Sequence, residues 1–125
     1  MDEHPNAALI RRTLDAMNSG DNEAVAALLA DDVEWHEIGS DAPVNKAQLA
    51  ERYAGAMPPD FEITGEMHDV VANDDHAIAL VSAHATRDGR TLDYRTAEIF
   101  HVKDGKITAR WAFSDDTAAI NEFFA

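Results

Sequence analysis

Apolar residues recur at helical spacing through the first half of the chain and alternate as strands do through the second. Leu9, Ile10, Leu14 and Met17 fall close to one face of a helix from Pro5 to Ser19, which Gly20 ends. A second, short helix runs from Asp21 or Asn22 to Ala30, with acidic residues in its first turn and Val25, Leu28 and Leu29 as its apolar face. Asp31 and Asp32 break it, and the run from Val33 to Ile38 reads as a strand closed by Gly39. Asn45, with Gln48 three residues on, predicts a helix cap. The helix it opens carries Leu49, Tyr53 and Ala56 and stops at the Met57 to Asp60 segment with its two prolines. Strands follow near Phe61–Val71, His76–Thr86, Arg90–Val102 and Lys106–Ser114, then a final helix at Thr117–Phe124. Asn73 to Asp75, Asp88-Gly89 and Asp104-Gly105 are the turns, the last two being strong hairpin signals. Three helices interleaved with one strand, then a meander, predict an α+β domain. Its helices are expected to pack on one face of a curved antiparallel sheet.

Facing follows from alternation and hairpin register. A two-residue turn on Asp104-Gly105 sets Glu98 opposite Trp111, and a three-residue turn with a bulge at Gly105 sets it opposite Arg110. The second suits a type I turn followed by a left-handed glycine. In that register one face carries Tyr94, Thr96, Glu98 and Phe100 with Thr108, Arg110, Ala112 and Ser114, and the same rule at Asp88-Gly89 adds Ile78, Leu80, Ser82 and His84. Such a mixture of apolar walls and a few polar groups is how small-molecule pockets are lined. The opposite face carries Ile99, Ile107, Ala109, Trp111 and Phe113. It is too apolar for a soluble monomer to expose, which predicts a homodimer.

Composition narrows the picture. With 125 residues, 46% of them apolar, the chain makes one domain, spanning 1–125, with a real core. Ten basic against 24 acidic residues give a net charge of −14, which argues against nucleic acid and anionic membrane surfaces as partners. There is no cysteine, no apolar run of membrane-spanning length and no secretory leader, so a cytoplasmic protein is expected. His4, His68, His76, His84 and His101 form no metal-ligand spacing, and no phosphate-binding glycine loop occurs. No metal and no cofactor is expected.

The runs Leu28 to His36, the Tyr53 helix, His68 to Val71 and Phe100 to Ile107, followed by Trp111 and Asp115, resemble the nuclear transport factor 2-like superfamily, and within it the SnoaL-like group. The resemblance spans nearly the whole chain. It implies a cystatin-like α+β barrel, a cone around a pocket closed by helices, with dimers through the outer sheet face in many members. The superfamily's activities include ketosteroid isomerase, polyketide cyclase and hydrolase, alongside non-catalytic binders.

Glu98 is the leading chemical candidate, because a carboxylate within an apolar strand is costly unless something pairs or uses it. Arg110 would be its cross-strand partner. His36 could serve as a general base. Aligned on Gly39, it resembles the position where the ketosteroid isomerase branch keeps its catalytic carboxylate, and Glu98 that branch's second acid. Tyr53 matches a tyrosine of its pocket network, but Thr13 stands where the branch has its oxyanion-donating tyrosine. If His36 faces inward then so do Glu34 and Ile38, with Trp35 outside; one bulge reverses this. Asp115 falls near an acid that polyketide cyclases of the group use in aldol ring closure; equally, Asp115-Asp116 could cap the last helix. The epoxide hydrolase branch's Asp–Arg–Asp set is imitated only in part by Arg110 and Glu98. The expected catalytic set is therefore His36, Glu98, Arg110 and Asp115. The expected ligand-binding set is Tyr53, Leu80, Ser82, Tyr94, Thr96, Phe100, Ala112 and Ser114. The expected function is a SnoaL-like small-molecule pocket protein. It would act as a cofactor-independent isomerase or cyclase moving a proton on a small apolar carbonyl compound, or as a non-catalytic ligand-binding or accessory protein. The expected dimer contact is Ile99, Ile107, Trp111 and Phe113.

Overall fold

A computed structural model describes residues 3–38, 42–54 and 62–124, the side chains of 52–54 and 124 excepted. Helices α1 (Pro5–Ser19) and α2 (Asn22–Leu28) lead into strand β1 (Leu29–Trp35), and helix α3 (Lys46–Ala54) follows. Strands β2 (Glu62–Ala72), β3 (His76–Arg87), β4 (Arg90–Lys103) and β5 (Lys106–Ser114) come next, with helix α4 (Thr117–Phe124) last. The expected end of the third helix at Met57–Asp60, the strand start at Phe61 and the strand stop at Gly39 lie outside the described residues.

Local chemistry sets the helix ends. Asn45 and Gln48 cap each other's backbone N–H groups at 2.8 Å, the predicted box at the start of α3. Gly20 takes the left-handed conformation that closes α1. His4 is the unforeseen cap: its Nδ1 accepts from the Asn6 N–H at 3.0 Å while Nε2 reaches Asp74. The second helix ends at Leu28 rather than Ala30, because Leu29 is already extended and buried as the first residue of β1.

The five strands form one curved sheet in the order β1-β5-β4-β3-β2. β1 runs parallel to β5 and the rest is antiparallel, so the sheet is mixed where an all-antiparallel one was expected. Leu9 and Ile10 of α1 pack in one core with Val33, Trp35, Ala77, Ala79, Val81 and Phe100, which defines the inner, helix-covered face. Along β3 that face is nearly all alanine, and the small side chains let the helix come close. At the β2 edge, Asn18 of α1 bonds both the N–H and the carbonyl of Gly65, at 3.1 and 2.7 Å. It thus occupies ladder groups that would otherwise invite another strand. Among the described residues, no helix is long and apolar enough to cross a membrane.

Both hairpins depart from the expected turn. Asp88-Gly89 and Asp104-Gly105 have positive φ at all four positions, the mark of two-residue type I′ turns, rather than three-residue turns with a glycine bulge. On β3 this reverses the expected facing. Ala77, Ala79, Val81 and Ala83 lie on the face of Glu98, while Ile78, Leu80, Ser82 and His84 lie outside. On β5 a bulge at Thr108 intervenes: Val102 pairs with Ile107, but His101 pairs with Ala109. Ile107 is therefore inside and fully buried, not on the outer face, and beyond the bulge Arg110, Ala112 and Ser114 regain the inner face.

An added Cβ at Gly65 would lie 3.2 Å from Val81 Cγ1 and 3.4 Å from Leu14 Cδ1. Gly65→Val is expected to destabilise the fold by about 1–3 kcal/mol through overpacking between α1 and the sheet. A denaturant midpoint measured with the m-value unchanged checks this.

Candidate functional site

Glu98 and Arg110 meet on the inner face although they are not directly opposite. Glu98 pairs with Ala112 and Arg110 with Phe100, so the two long side chains span a diagonal of the β4–β5 ladder. Arg110 donates to Glu98 Oε1 from Nε at 3.0 Å and from Nη2 at 2.7 Å. Its Nη1 donates to the carbonyl of His36 at 3.0 Å. The guanidinium also stacks over Trp35, 4.7 Å from the ring centroid. Thr96 Oγ1 lies 3.3 Å from Glu98 Oε2, leaving that oxygen the less engaged of the two. The side chains of Glu98 and Arg110 are only 15% and 11% exposed, so each depends on the other for compensation.

Tyr94 stands four residues before Glu98 on the same face. Burial, then the negative charge of Glu98, push its phenol above the ordinary value of 10.0, with Arg110 pulling the other way. The hydroxyl is therefore a proton donor at neutral pH. Phe100 and Trp35 meet edge to face at 6.5 Å and wall the site, and Ala79 stands opposite Glu98.

The remaining expected site residues divide between the faces. Thr96, Phe100, Ala112 and Ser114 share the inner face with Glu98. Leu80 and Ser82 lie outside, moved there by the two-residue Asp88-Gly89 turn. The side chain of Tyr53 lies outside the described residues. A register shift in β1 between Leu29 and Glu34 turns Trp35 inward and His36 outward. His36 stacks on Trp111 at 4.8 Å, with Nε2 3.8 Å from Glu34, so it is not beside Glu98. Asp115 also leaves the site: its Oδ1 accepts from the Arg95 N–H at 3.2 Å, and it is exposed at the end of β5. Asp116 takes the helix-capping role, accepting from the Ala119 N–H. Trp35 is the site residue the sequence left undecided. No cluster of His, Asp and Glu suited to a metal occurs among the described residues.

Among the described residues, a groove of about 730 Å³ lies away from Glu98. It crosses the outer side of β2, β3 and β4 between the row Thr64, His84, Asp93 and the row Glu66, Ser82, Arg95, with Asp115 at one end. Tyr94 contributes to its floor from the strand between the rows.

Tyr53 and Tyr94 are the two tyrosines of the chain. In Tyr53→Phe protein, the phenolate absorbance should therefore report Tyr94 alone, titrating above pH 10. Because its folded value is raised, the associated stability is whole below the unfolded value near 10 and is lost as pH rises through the folded one. Tyr94→Phe should remove that alkaline loss, read from denaturation midpoints between pH 9 and 11.

The sequence matches the SnoaL-like domain family over residues 10–110. An uncharacterized protein of Mycobacterium tuberculosis is 30% identical over the full length of both chains. Among solved structures, Bal32a from a soil-derived mobile gene cassette superposes with a TM-score of 0.81 at 27% identity, covering 97% of each chain. A Mycobacterium tuberculosis epoxide hydrolase of LEH-like type gives 0.80 at 17% identity, covering 96% of this chain and 90% of its own. A candidate polyketide cyclase of Xanthomonas campestris pv. campestris gives 0.79 at 22% identity, covering 95% and 93%. All three share the fold of this chain, a curved sheet with helices packed on it in the nuclear transport factor 2-like manner. On the extent of the family match and the full-length relative, this chain belongs to the SnoaL-like domain family.

Proposed function

We propose that the Glu98 site takes a small apolar compound bearing a carbonyl group and moves a proton on it, as an isomerase or cyclase does. The observation that carries this reading is a carboxylate, its guanidinium partner and a protonated phenol set together on a face otherwise built of Trp35, Phe100, Ala79 and Val81. Apolar walls with a few convergent polar groups suit such a ligand. Glu98 Oε2 would remove a proton next to the carbonyl, and the Tyr94 hydroxyl would donate to the enolate oxygen as charge develops. The proton then returns to another carbon, or the enolate attacks a second carbonyl within the same molecule. Arg110 and Thr96 hold the carboxylate in place. The step needs no cofactor, and a cytoplasmic protein fits it. The family match and the small-molecule enzymes that share the fold support the class of ligand.

A second reading rests on the double engagement of Glu98 Oε1 by Arg110 and on the removal of His36 from the inner face. Both suit a non-catalytic binder, in which the pair only completes the wall.

The same reading includes a homodimer through the outer face. Ile99, Trp111 and Phe113 are there, joined by Ile78 and Leu80 and without Ile107. Ile78, Leu80 and Phe113 are 39%, 41% and 59% exposed, more apolar surface than a monomer comfortably shows to water.

Exchange of the α-protons of 2-tetralone in D2O, followed by NMR, tests the chemistry. Glu98→Gln should slow exchange by roughly 100-fold and Tyr94→Phe by roughly 10-fold or more, with the fold intact by circular dichroism. Binding without exchange in the wild type would favour the non-catalytic reading. Wild-type exchange unaffected by either variant would remove both residues from the mechanism. For the assembly, Trp111→Glu should turn a dimer into a monomer in sedimentation at micromolar concentration, since it places a charge at the centre of the apolar patch. A dimer indifferent to it uses another face.

A further inference from the structure

The central apolar row of the outer face, Val71, Ile78, Ile99 and Trp111, lies in register across β2 to β5 and ends on His36. The next row toward the β4–β5 turn holds His76, His101 and Ala109. His76 and His101 are direct cross-strand partners, so both imidazoles leave the sheet on one side, the side away from Glu98. Their ring centroids are 4.7 Å apart and their planes stand at 80°.

The surroundings leave these rings open. The Thr108 bulge sets Ala109, not a larger side chain, opposite His101 on β5. Trp111 lies against the His101 ring at 4.8 Å and limits its rotation. His76 is exposed and can turn a nitrogen toward its partner. Asp74 holds His4, Asp93 holds His84, and the stacked His36 lies 3.8 Å from Glu34. Among the described residues, no side chain hydrogen-bonds or ion-pairs with the rings of His76 and His101.

The spacing has a chemical meaning. A metal–nitrogen bond of about 2.0–2.1 Å places an imidazole centroid roughly 3.2 Å from the ion, so two rings in adjacent coordination positions stand roughly 4.5–5.2 Å apart. The observed 4.7 Å falls inside that range. No group of three His, Asp or Glu ligands accompanies the pair among the described residues, so water would fill the remaining positions. Two imidazole nitrogens and water oxygens suit a tetragonal Cu(II) ion, which also binds nitrogen ligands more tightly than the neighbouring divalent metals. The nearest charges along the strands, Asp75 beside His76 and Lys103 two residues from His101, offset each other. The net charge of −14 raises the concentration of cations around the whole chain.

We propose that His76 and His101 form a two-imidazole site for a divalent transition-metal ion, Cu(II) being held most tightly. The site is independent of the Glu98 chemistry, which lies through the sheet on its other face.

Titration of Cu(II) chloride into the full chain tests it. At micromolar protein, one equivalent should bind and give a tetragonal Cu(II) electron paramagnetic resonance spectrum with coupling to two imidazole nitrogens. Tryptophan emission should fall in step, because the ion would sit beside the His101–Trp111 contact. His76→Gln and His101→Gln should each weaken binding by at least about tenfold and abolish the two-nitrogen pattern, circular dichroism being unchanged. His4→Asn, which keeps a capping acceptor at the start of α1, and His68→Gln should bind as wild type does. Absence of binding, a spectrum without two ring nitrogens, or affinity unchanged in both the His76 and His101 variants would overturn the site. So would binding that is lost with His4 or His68 instead.

Discussion

Four backbone positions decide which side chains this sheet turns toward its helices. Asp88, Gly89, Asp104 and Gly105 all have positive φ, so each hairpin closes in two residues and follows the strand twist. From the first turn it follows that β3 offers alanines to the interior and Ile78, Leu80, Ser82 and His84 to the outside. The second turn alone would put Trp111 beside Glu98. One extra residue, Thr108, shifts the ladder and brings Arg110 round instead. Its hydroxyl donates to the His101 carbonyl at 3.3 Å, beside the disrupted ladder. A strand period of two makes such a slip all-or-none.

That single residue determines whether Glu98 can be buried. A carboxylate facing indole and alanine would carry a desolvation penalty with nothing to offset it. With Arg110 on the same face, the carboxylate receives two charge-assisted bonds, and the guanidinium is in turn held by the His36 carbonyl and the Trp35 ring. The pair is neutral as a unit. Glu98 nonetheless exceeds Arg110 in its effect on the Tyr94 phenol, raising it while Arg110 lowers it. A donor, an acceptor and a fixed cation thus share the largely apolar inner face.

The features legible in the sequence were those set by neighbours in the chain. The Asn45–Gln48 box, the Gly20 stop and the positions of both Asp-Gly turns depend on a few adjacent residues, and all were found where expected. Side-chain facing was less legible, because it depends on turn type and on bulges that leave little local trace. Thr108 carries no turn signature, and nothing between Leu29 and Glu34 marks the shift that turns Trp35 inward. Glu98 and Arg110 were placed on one face through a register that neither proposed turn produces. The face was right because turn and bulge together shift the pairing by two from the one supposed. On β3, with no bulge, the same supposition put Leu80 and Ser82 on the wrong side. A signal was available there: an Asp-Gly pair favours the two-residue turn, and an alternating run of alanines is what a closely packed helix needs.

The inner and outer faces are joined at β5, where consecutive residues serve opposite sides. Arg110 points in and Trp111 out, and the backbone of His36 is tied to this point twice. Its N–H donates to the Arg110 carbonyl at 2.8 Å, and its own carbonyl accepts from Arg110 Nη1. The His36 ring then stacks on Trp111. The strand that carries the guanidinium is thus braced from outside by the same two rings that end the central apolar row. Restricting these rings restricts the backbone from which Arg110 reaches Glu98. A site whose chemistry requires a carboxylate held in one position gains from such bracing, since a supporting shell left loose displaces the reacting group. The outer face contributes rigidity to an inner site that none of its own side chains touches.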